Sequence, residues 1–422
     1  MSQHIGLLTR DIIALILAGG KGSRLKQLTE DRAKPGLPFG GKYKIIDFTL
    51  SNCMNSGIRR IDVLTQYKSS ELLSHVQKAW SRMPWELGEY VNIVPAQQQI
   101  GDLWYRGTAD AVYQNLKQLK KQHCKYILIL GGDHIYKMDY SRMLRQHAKN
   151  NADISIASIP VKCKSASAFG VLNCDENMRV VDFVEKPEHP AEMSGVPGKS
   201  LVSMGVYIFN FDILEQLLLE DASIDGSKHD FGYNIIPKAI NNQAVFSYIF
   251  DDEGCADVQA YWKDVGTIDQ YFQANLDLVQ VEPELNLYDR HWPIYSFQEQ
   301  IPGAKFIFDQ DNCRGQAIDS VITAGCIISG ATIRKSLLST RVTVERHSEL
   351  DHCVILPNVT IGKHCKLKNV LVVEDCIIPD GLVIGFDIEK DKIYYETSET
   401  GVILVTQEMI DNFLKIEHGA YI

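Results

Sequence analysis

Residues 338–354 read Leu338-Ser339-Thr340-Arg341-Val342-Thr343-Val344-Glu345-Arg346-His347-Ser348-Glu349-Leu350-Asp351-His352-Cys353-Val354. Leu338, Val344 and Leu350 fall six residues apart, and Ile355 opens the next cycle after a step of five. The same beat runs on either side. Val321, Ile327 and Ile333 precede it; Ile355, Ile361 and Leu367, then Val372, Ile378 and Ile384, follow it. Each group starts seventeen residues after the last. Three short strands per coil, each turning one aliphatic side chain inward, stack into a left-handed parallel β-helix of the hexapeptide type. Ordinary antiparallel strands have no reason to keep so many aliphatic positions in one register. The open end of such a stack must be capped or buried in a partner.

Upstream the rhythm changes. Ile12-Ile13-Ala14-Leu15-Ile16-Leu17 is a continuous apolar run, as in a strand buried on both faces. Ile61–Thr65, Val91–Val94, Tyr126–Leu130 and Ile154–Ile159 are further strand candidates. Between them, Ala109, Val112, Leu116 and Leu119 share one helical face, as do Tyr140, Met143, Leu144 and His147. This alternation predicts an α/β domain: a Rossmann-like, mostly parallel sheet with helices on both faces and ligands beyond the carboxyl ends of its strands. The predicted boundaries are 1–280 for this domain, 281–315 for a packed linker, 316–390 for the β-helix and 391–422 for a C-terminal tail. Pro283, Pro293 and Pro302 interrupt the linker, and Trp292, Tyr295, Phe306 and Phe308 give it surface to pack.

Composition removes several function classes. The 422 residues are 45% hydrophobic and 23% charged, an ordinary globular balance for two or three domains at roughly 100–200 residues each. A net charge of −10 argues against a general nucleic-acid or membrane-surface binder, and no apolar run is long enough to span a bilayer. The opening Met1-Ser2-Gln3-His4-Ile5-Gly6 has no signal-peptide pattern, and the ten Cys include no C-x-x-C pair. A cytoplasmic protein with reduced, mostly buried thiols is the expectation.

The first strand runs into Ala18-Gly19-Gly20-Lys21-Gly22-Ser23-Arg24-Leu25. Three glycines let the backbone pass close to a ligand with its N–H groups bare, while Lys21 and Arg24 add positive charge, a combination suited to phosphates. The loop lacks the P-loop spacing, and Leu25 stands at the third glycine position of a dinucleotide fingerprint. The glycines alone equally fit a strand–helix turn without ligand. Gly131-Gly132-Asp133-His134 places a carboxylate at a strand's carboxyl end, where it can ligate a hard cation or cap a helix. A second carboxylate, Asp264, lies in Tyr261-Trp262-Lys263-Asp264-Val265-Gly266-Thr267, too distant in the chain for sequence to pair the two. Taken singly, Trp104 reads as a core tryptophan, Lys186 as a surface lysine before Pro187, and His229 as a surface histidine.

In combination these segments say more. Leu17-Ala18-Gly19-Gly20-x-Gly22-x-Arg24-Leu25, followed by Arg32-Ala33-Lys34-Pro35, resembles the signature of the sugar-nucleotide pyrophosphorylases. Trp104-Tyr105-Arg106-Gly107-Thr108-Ala109-Asp110-Ala111, Ala168-Phe169-Gly170-Val171, Phe183-Val184-Glu185-Lys186-Pro187, Ser203-Met204-Gly205 and Ser227-x-His229-Asp230-Phe231-Gly232 are similar to the glucose-1-phosphate adenylyltransferase (ADP-glucose pyrophosphorylase) family, bacterial homotetrameric type. The resemblance covers nearly the whole chain.

It implies transfer of an adenylyl group from ATP to glucose 1-phosphate with release of pyrophosphate, for glycogen synthesis. Leu17, Gly19, Gly20, Gly22, Gln66 and Trp104 would bind ATP. Lys21, Arg24, Lys34 and Asp133 would be catalytic, with Lys21 standing where the family carries Arg. Tyr105, Gly170, Glu185, Lys186 and Ser203 would bind glucose 1-phosphate, and Asp133 with Asp264 would hold Mg2+. No nucleic-acid or membrane partner is implied.

The resemblance also implies a homotetramer controlled by sugar-phosphate or nucleotide effectors. Enterobacterial relatives bind fructose 1,6-bisphosphate and AMP at a basic cluster. Here Asp31, Pro38, Glu374, Gln407 and Asp411 replace basic residues of that cluster, while Arg32, Lys44 and Lys121 remain as candidate effector ligands. Three rivals stand beside this reading: a pyrophosphorylase for another nucleotide or sugar, a non-catalytic regulatory subunit, and an acyltransferase in the β-helix.

Overall fold

The computed structural model describes residues 8–20, 22–81, 83–97, 104–251, 260–310 and 313–418. The chain forms two compact units. One comprises residues 1–20, 48–132 and 136–262, the other residues 21–47, 133–135 and 263–422.

The first unit is built on a nine-stranded sheet. Its central path runs Val180–Glu185, Gly170–Cys174, Lys199–Asn210, Tyr126–Gly131, Ile12–Ala18, Arg60–Thr65 and Tyr90–Pro95. Ile154–Lys162 also pairs with Lys199–Asn210, and Val245–Ile249 pairs with Ile154–Lys162. Four of the strands predicted from apolar runs form the parallel half, where Ile12–Ala18 lies parallel to both Tyr126–Gly131 and Arg60–Thr65, and Arg60–Thr65 to Tyr90–Pro95; the fifth, Ile154–Lys162, lies antiparallel to Lys199–Asn210. The long strand Lys199–Asn210 runs antiparallel to three neighbours. Residues 12–16 are wholly buried, which explains why every one is apolar. The predicted helical faces lie on Thr108–Lys121 and Tyr140–Lys149. On the second, buried His147 donates from Nε2 to Asn210 Oδ1 (3.2 Å) and pairs through Nδ1 with Ser155 Oγ (2.9 Å), and burial holds its pKa below the ordinary histidine value.

The second unit contains the stack. Lys305–Ile307, Ile327–Ser329, Thr343–Val344, Thr360–Ile361 and Ile377–Ile378 form one parallel ladder. Gln316–Ile318, Thr332–Arg334, Glu349–Asp351, Lys366–Lys368 and Val383–Ile384 form the second. Val321–Ile322, Leu337–Leu338, Val354–Ile355 and Val370–Val372 form the third, which continues through Ile403–Val405 to Glu396–Thr397. This is the parallel β-helix. Its ladders begin at Lys305, inside the segment 281–315, and take a strand from the tail. Of the aromatic residues in 281–315, Tyr295 and Phe306 stay 47% and 44% exposed, while the ring of Phe308 carries the Arg346 guanidinium 4.0 Å above its centre.

The aliphatic register differs from the sequence reading in one coil. From Leu338 onward, partners lie seventeen residues apart, as in Leu338↔Ile355, Val344↔Ile361 and Leu350↔Leu367. In the first coil the partners are Ile322↔Leu338 and Ile328↔Val344, one residue off. Ile328 is therefore fully buried and Ile327 is 39% exposed. The inward positions predicted as Val321 and Ile327 are corrected to Ile322 and Ile328.

Cys326, Cys353, Cys365 and Cys376 add to this core. All cysteines among the described residues are free thiols. Residues 38–40 are tied to helix Ile268–Asp277: Tyr271 Oη donates to the Pro38 carbonyl, and Asn275 Oδ1 accepts from the Gly40 N–H at 3.0 Å. Among the described residues no helix is long and apolar enough to cross a membrane.

Candidate active site

Two clusters of polar side chains contain most of the residues singled out in the sequence. The first lies in the unit that carries the β-helix. Short strands beginning at His134 and ending at Asp264 pair, which draws the two distant carboxylates together. The ammonium of Lys34 sits between them, 3.0 Å from Asp133 Oδ2 and 2.7 Å from Asp264 Oδ1. Its side chain is almost wholly buried. Burial would lower the lysine pKa, but the two carboxylates override this and raise it. Burial would likewise push the Asp133 carboxyl up. The facing Lys34 charge, joined by His134, instead holds it down at about 2.

Arg24 borders the same group, with Nη2 3.7 Å from Asp264 Oδ2. It reaches that place across Gly266, where an added Cβ would lie 2.7 Å from Arg24 Nη2. Gly22 begins the turn that leads to Arg24. Its φ of 62° suits glycine, and its carbonyl accepts from Leu25 N–H (2.9 Å) and Thr29 Oγ1 (2.9 Å).

His134 Nε2 lies 3.5 Å from Asp133 Oδ1, and Asp133, His134 and Asp264 each offer a ligand atom within 4.8 Å of the others. Hard carboxylate oxygens that already attract one buried cation, with an imidazole beside them, suit a small divalent ion. The residues present therefore fit a metal, with His134 an unforeseen third donor.

The second cluster lies in the sheet unit. Glu185 is the cross-strand neighbour of Gly170, where a Cβ would meet the Phe183 ring at 2.3 Å and Glu185 Oε2 at 2.7 Å. A Cβ on Gly232 would come within 2.4 Å of the same Oε2. Two glycines thus make room for one carboxylate. Burial raises the Glu185 pKa above the ordinary range; Lys186 opposes this and Asp230 adds to it. Lys186 is half exposed, with Nζ 3.7 Å from Glu185 Oε1. Its N–H donates to the Phe169 carbonyl at 3.0 Å, which anchors the backbone at this exposed lysine.

Ser203 is buried, donating to Tyr207 Oη at 3.2 Å and accepting from Gly205 N–H at 3.2 Å. Tyr105 Oη accepts from Asn115 Nδ2 at 3.0 Å, and the Tyr105 carbonyl faces Gln66 Nε2 at 3.4 Å. Gln66 in turn flanks Gly19, where a Cβ would stand 3.3 Å from Gln66 Cβ. Leu17 ends the strand and its carbonyl accepts from Gly132 N–H at 3.0 Å; Gly20 has open space around its Cα.

Two ordinary readings are corrected. Trp104 is not a core residue but 55% exposed, and His229 is not on the surface but 4% exposed. Lys21 lies outside the described residues. Of the candidate effector ligands, Arg32 is bound to Glu374 through an Nη2–Oε1 contact of 2.5 Å, both side chains largely buried. Lys44 donates its backbone N–H to Asp47 at 2.8 Å. Lys121 ends the helix Thr108–Lys121, where its charge favours the helix C-terminus.

Sequence reasoning did not assign His134, Gly266, Asp230 or Gly232. Each lies within a quoted motif, so adjacency was the available signal.

Residues 13–281 match the nucleotidyl transferase family, and residues 302–405 match the GlmU-like C-terminal hexapeptide family. Together they define a nucleotidyltransferase enzyme with an appended β-helix. The glucose-1-phosphate adenylyltransferase of Methylobacillus flagellatus is 52% identical over 411 residues, covering 97% of this chain and 96% of that protein. That of Nitrosomonas europaea is 50% identical over 413 residues, covering 97% and 95%. The chain belongs to the glucose-1-phosphate adenylyltransferase family.

Proposed function

We propose that this chain transfers the adenylyl group of ATP to α-D-glucose 1-phosphate, giving ADP-glucose and pyrophosphate for glycogen synthesis. The observation that carries the proposal is the buried Lys34 ammonium joined to both Asp133 and Asp264, in a chain half identical to enzymes of that name.

The phosphate of glucose 1-phosphate is already ionised, so its attack on the α-phosphorus of ATP needs no general base. The barrier is repulsion between two polyanions and their alignment in line. Enzymes of this class use a divalent cation. We assign Mg2+ to Asp133 and Asp264, with His134 beside them; bound there it would neutralise charge on the triphosphate. Lys21, Arg24 and Lys34 supply the remaining positive charge. Gly19, Gly20 and Gly22 offer backbone N–H groups to phosphates, Leu17 and Gln66 border the base, and Trp104 presents an exposed ring to the nucleotide. Lys186 holds the attacking phosphate, while Tyr105, Gly170, Glu185 and Ser203 shape the sugar pocket.

The active form on this reading is a cytoplasmic homotetramer assembled through the β-helix. Its control by sugar phosphates or nucleotides differs from that of enterobacterial relatives, because Arg32 is engaged by Glu374. Lys44 and Lys121 are the other proposed contacts for such an effector.

The test is a matrix of nucleoside triphosphates against sugar 1-phosphates with Mg2+, followed by pyrophosphate release. ATP with glucose 1-phosphate should turn over fastest. Equal or faster turnover with GTP, UTP or mannose 1-phosphate would overturn the assignment.

A further inference from the structure

Among the described residues His229 makes no hydrogen bond to a residue assigned above to substrate or metal, yet it is buried and held by its neighbours. Its ring and Asp221 are each about 6% exposed, and His229 Nδ1 lies 2.7 Å from Asp221 Oδ2. Ser227 closes the loop. Its hydroxyl donates to Asp221 Oδ1 at 2.7 Å and accepts from the His229 N–H at 3.0 Å. Two hydrogen bonds therefore fasten residues 227–229 to Asp221 at the end of helix Phe211–Ala222, and a third braces the loop internally.

The fastening holds His229 at a φ of 50°, in the left-handed region that few residues other than glycine adopt. In that conformation the His229 carbonyl accepts the N–H groups of Ala109 (2.8 Å) and Asp110 (3.3 Å), satisfying the start of helix Thr108–Lys121. The fit is close enough to require glycine at 107, where a Cβ would lie 2.3 Å from that carbonyl oxygen.

The next residues carry the constraint forward. Asp230 Oδ2 accepts from Thr108 Oγ1 at 2.9 Å, and Oδ1 accepts from the N–H groups of Gly232 (2.9 Å) and Tyr233 (3.1 Å). This turn sets Gly232 against Glu185 Oε2.

We propose that His229 is a positioning residue for the sugar-phosphate pocket: held by Asp221, it fixes the turn, closed by Asp230, that sets Gly232 against the Glu185 carboxylate. This rests on the assignment of Glu185 to glucose 1-phosphate. Nothing in the assigned chemistry uses the imidazole itself, and a surface histidine would not need a buried carboxylate and a serine to orient it.

The test separates a positioning role from bulk stability and from the underlying assignment. His229→Ala and Asp221→Ala should each raise KM for glucose 1-phosphate roughly tenfold with KM for ATP within about twofold, corresponding to about 1.4 kcal/mol lost at one substrate. His229→Asn should restore KM, since its amide can donate as Nδ1 does and asparagine tolerates a positive φ. Thermal unfolding of each variant is measured in parallel. If His229→Ala lowers the melting temperature and kcat but leaves the two KM values unchanged, the residue is structural and the inference is wrong. Glu185→Gln is the control for the assignment. If it leaves KM for glucose 1-phosphate unmoved, the pocket assignment fails. If it raises that KM while His229→Ala does not, only the present inference fails.

Discussion

The ammonium of Lys34 lies within 3.0 Å of Asp133 and 2.7 Å of Asp264, so one buried cation bridges two carboxylates from distant parts of the chain. Removing the Asp133 charge leaves Lys34 paired with Asp264 but takes away one of the two acids assigned to the metal. Asp133→Asn should therefore reduce kcat by at least tenfold, with smaller changes in KM, because charge neutralisation is demanded most in the transition state. Steady-state kinetics, with circular dichroism to check folding, decides this. A change confined to KM for ATP would contradict it.

The same bridge gives stability a defined pH window. The folded-state pKa of Asp133 is depressed from an ordinary 3.8 to about 2. A depressed carboxyl contributes stability that is fully present above the ordinary value and is lost as pH falls through the folded value. Urea midpoints measured from pH 4.5 down to pH 2 should fall more steeply for the unmodified chain than for Asp133→Asn. Parallel slopes would mean the Lys34 contact is not formed in solution.

In the second cluster, Lys186→Ala should raise KM for glucose 1-phosphate by tenfold or more and leave KM for ATP nearly unchanged. Removing a cation that binds the nucleophile's phosphate weakens that one substrate. Its side chain is half exposed, so the fold should be unaffected. An effect on ATP alone would show that the lysine faces the other substrate.

Fructose 1,6-bisphosphate, titrated at sub-saturating ATP, should change the rate by less than about fivefold, the lower edge of ordinary allosteric coupling. Arg32 is already neutralised by Glu374 at 2.5 Å, and the added carboxylate repels a phosphate as well as occupying the guanidinium. Strong activation at micromolar concentration would show that another set of basic residues takes the effector.

The coil slip offers a stability test. Ile328→Ala should cost about 2–5 kcal/mol, as for a buried aliphatic residue, whereas Ile327→Ala should cost less than about 1 kcal/mol. Chemical denaturation of the two variants reads the difference directly. The reverse ranking would restore the uninterrupted seventeen-residue register.

That slip also shows where sequence stops being informative. Val321-Ile322 and Ile327-Ile328 are adjacent aliphatic pairs, so periodicity alone cannot say which member points inward. From Leu338 onward, inward residues such as Val344, Leu350, Ile361 and Leu367 have no aliphatic neighbour on either side, so they fix the phase and the register was legible. The strand Ile12–Ala18 was legible for the opposite reason: burial on both faces leaves no alternation to misread. In the candidate site, motif resemblance named Asp133 and Asp264, but only strand pairing brings them to one ammonium. The spacing glycines, Gly232 and Gly266, act by lacking a side chain, and His229 acts through its carbonyl. Neither kind of role leaves a side-chain signature in the sequence.

The four cysteines sealed in the β-helix carry a consequence of their own. Burial pushes the thiols of Cys353 and Cys376 up to about 12, and raises those of Cys326 and Cys365. Only the thiolate is nucleophilic, so at neutral pH an alkylating reagent finds nothing to attack until a coil parts and water enters. Each thiol sits on a different stretch of the stack. Their labelling rates amount to a rung-by-rung record of how often the solenoid breathes, written in the native protein without any added probe.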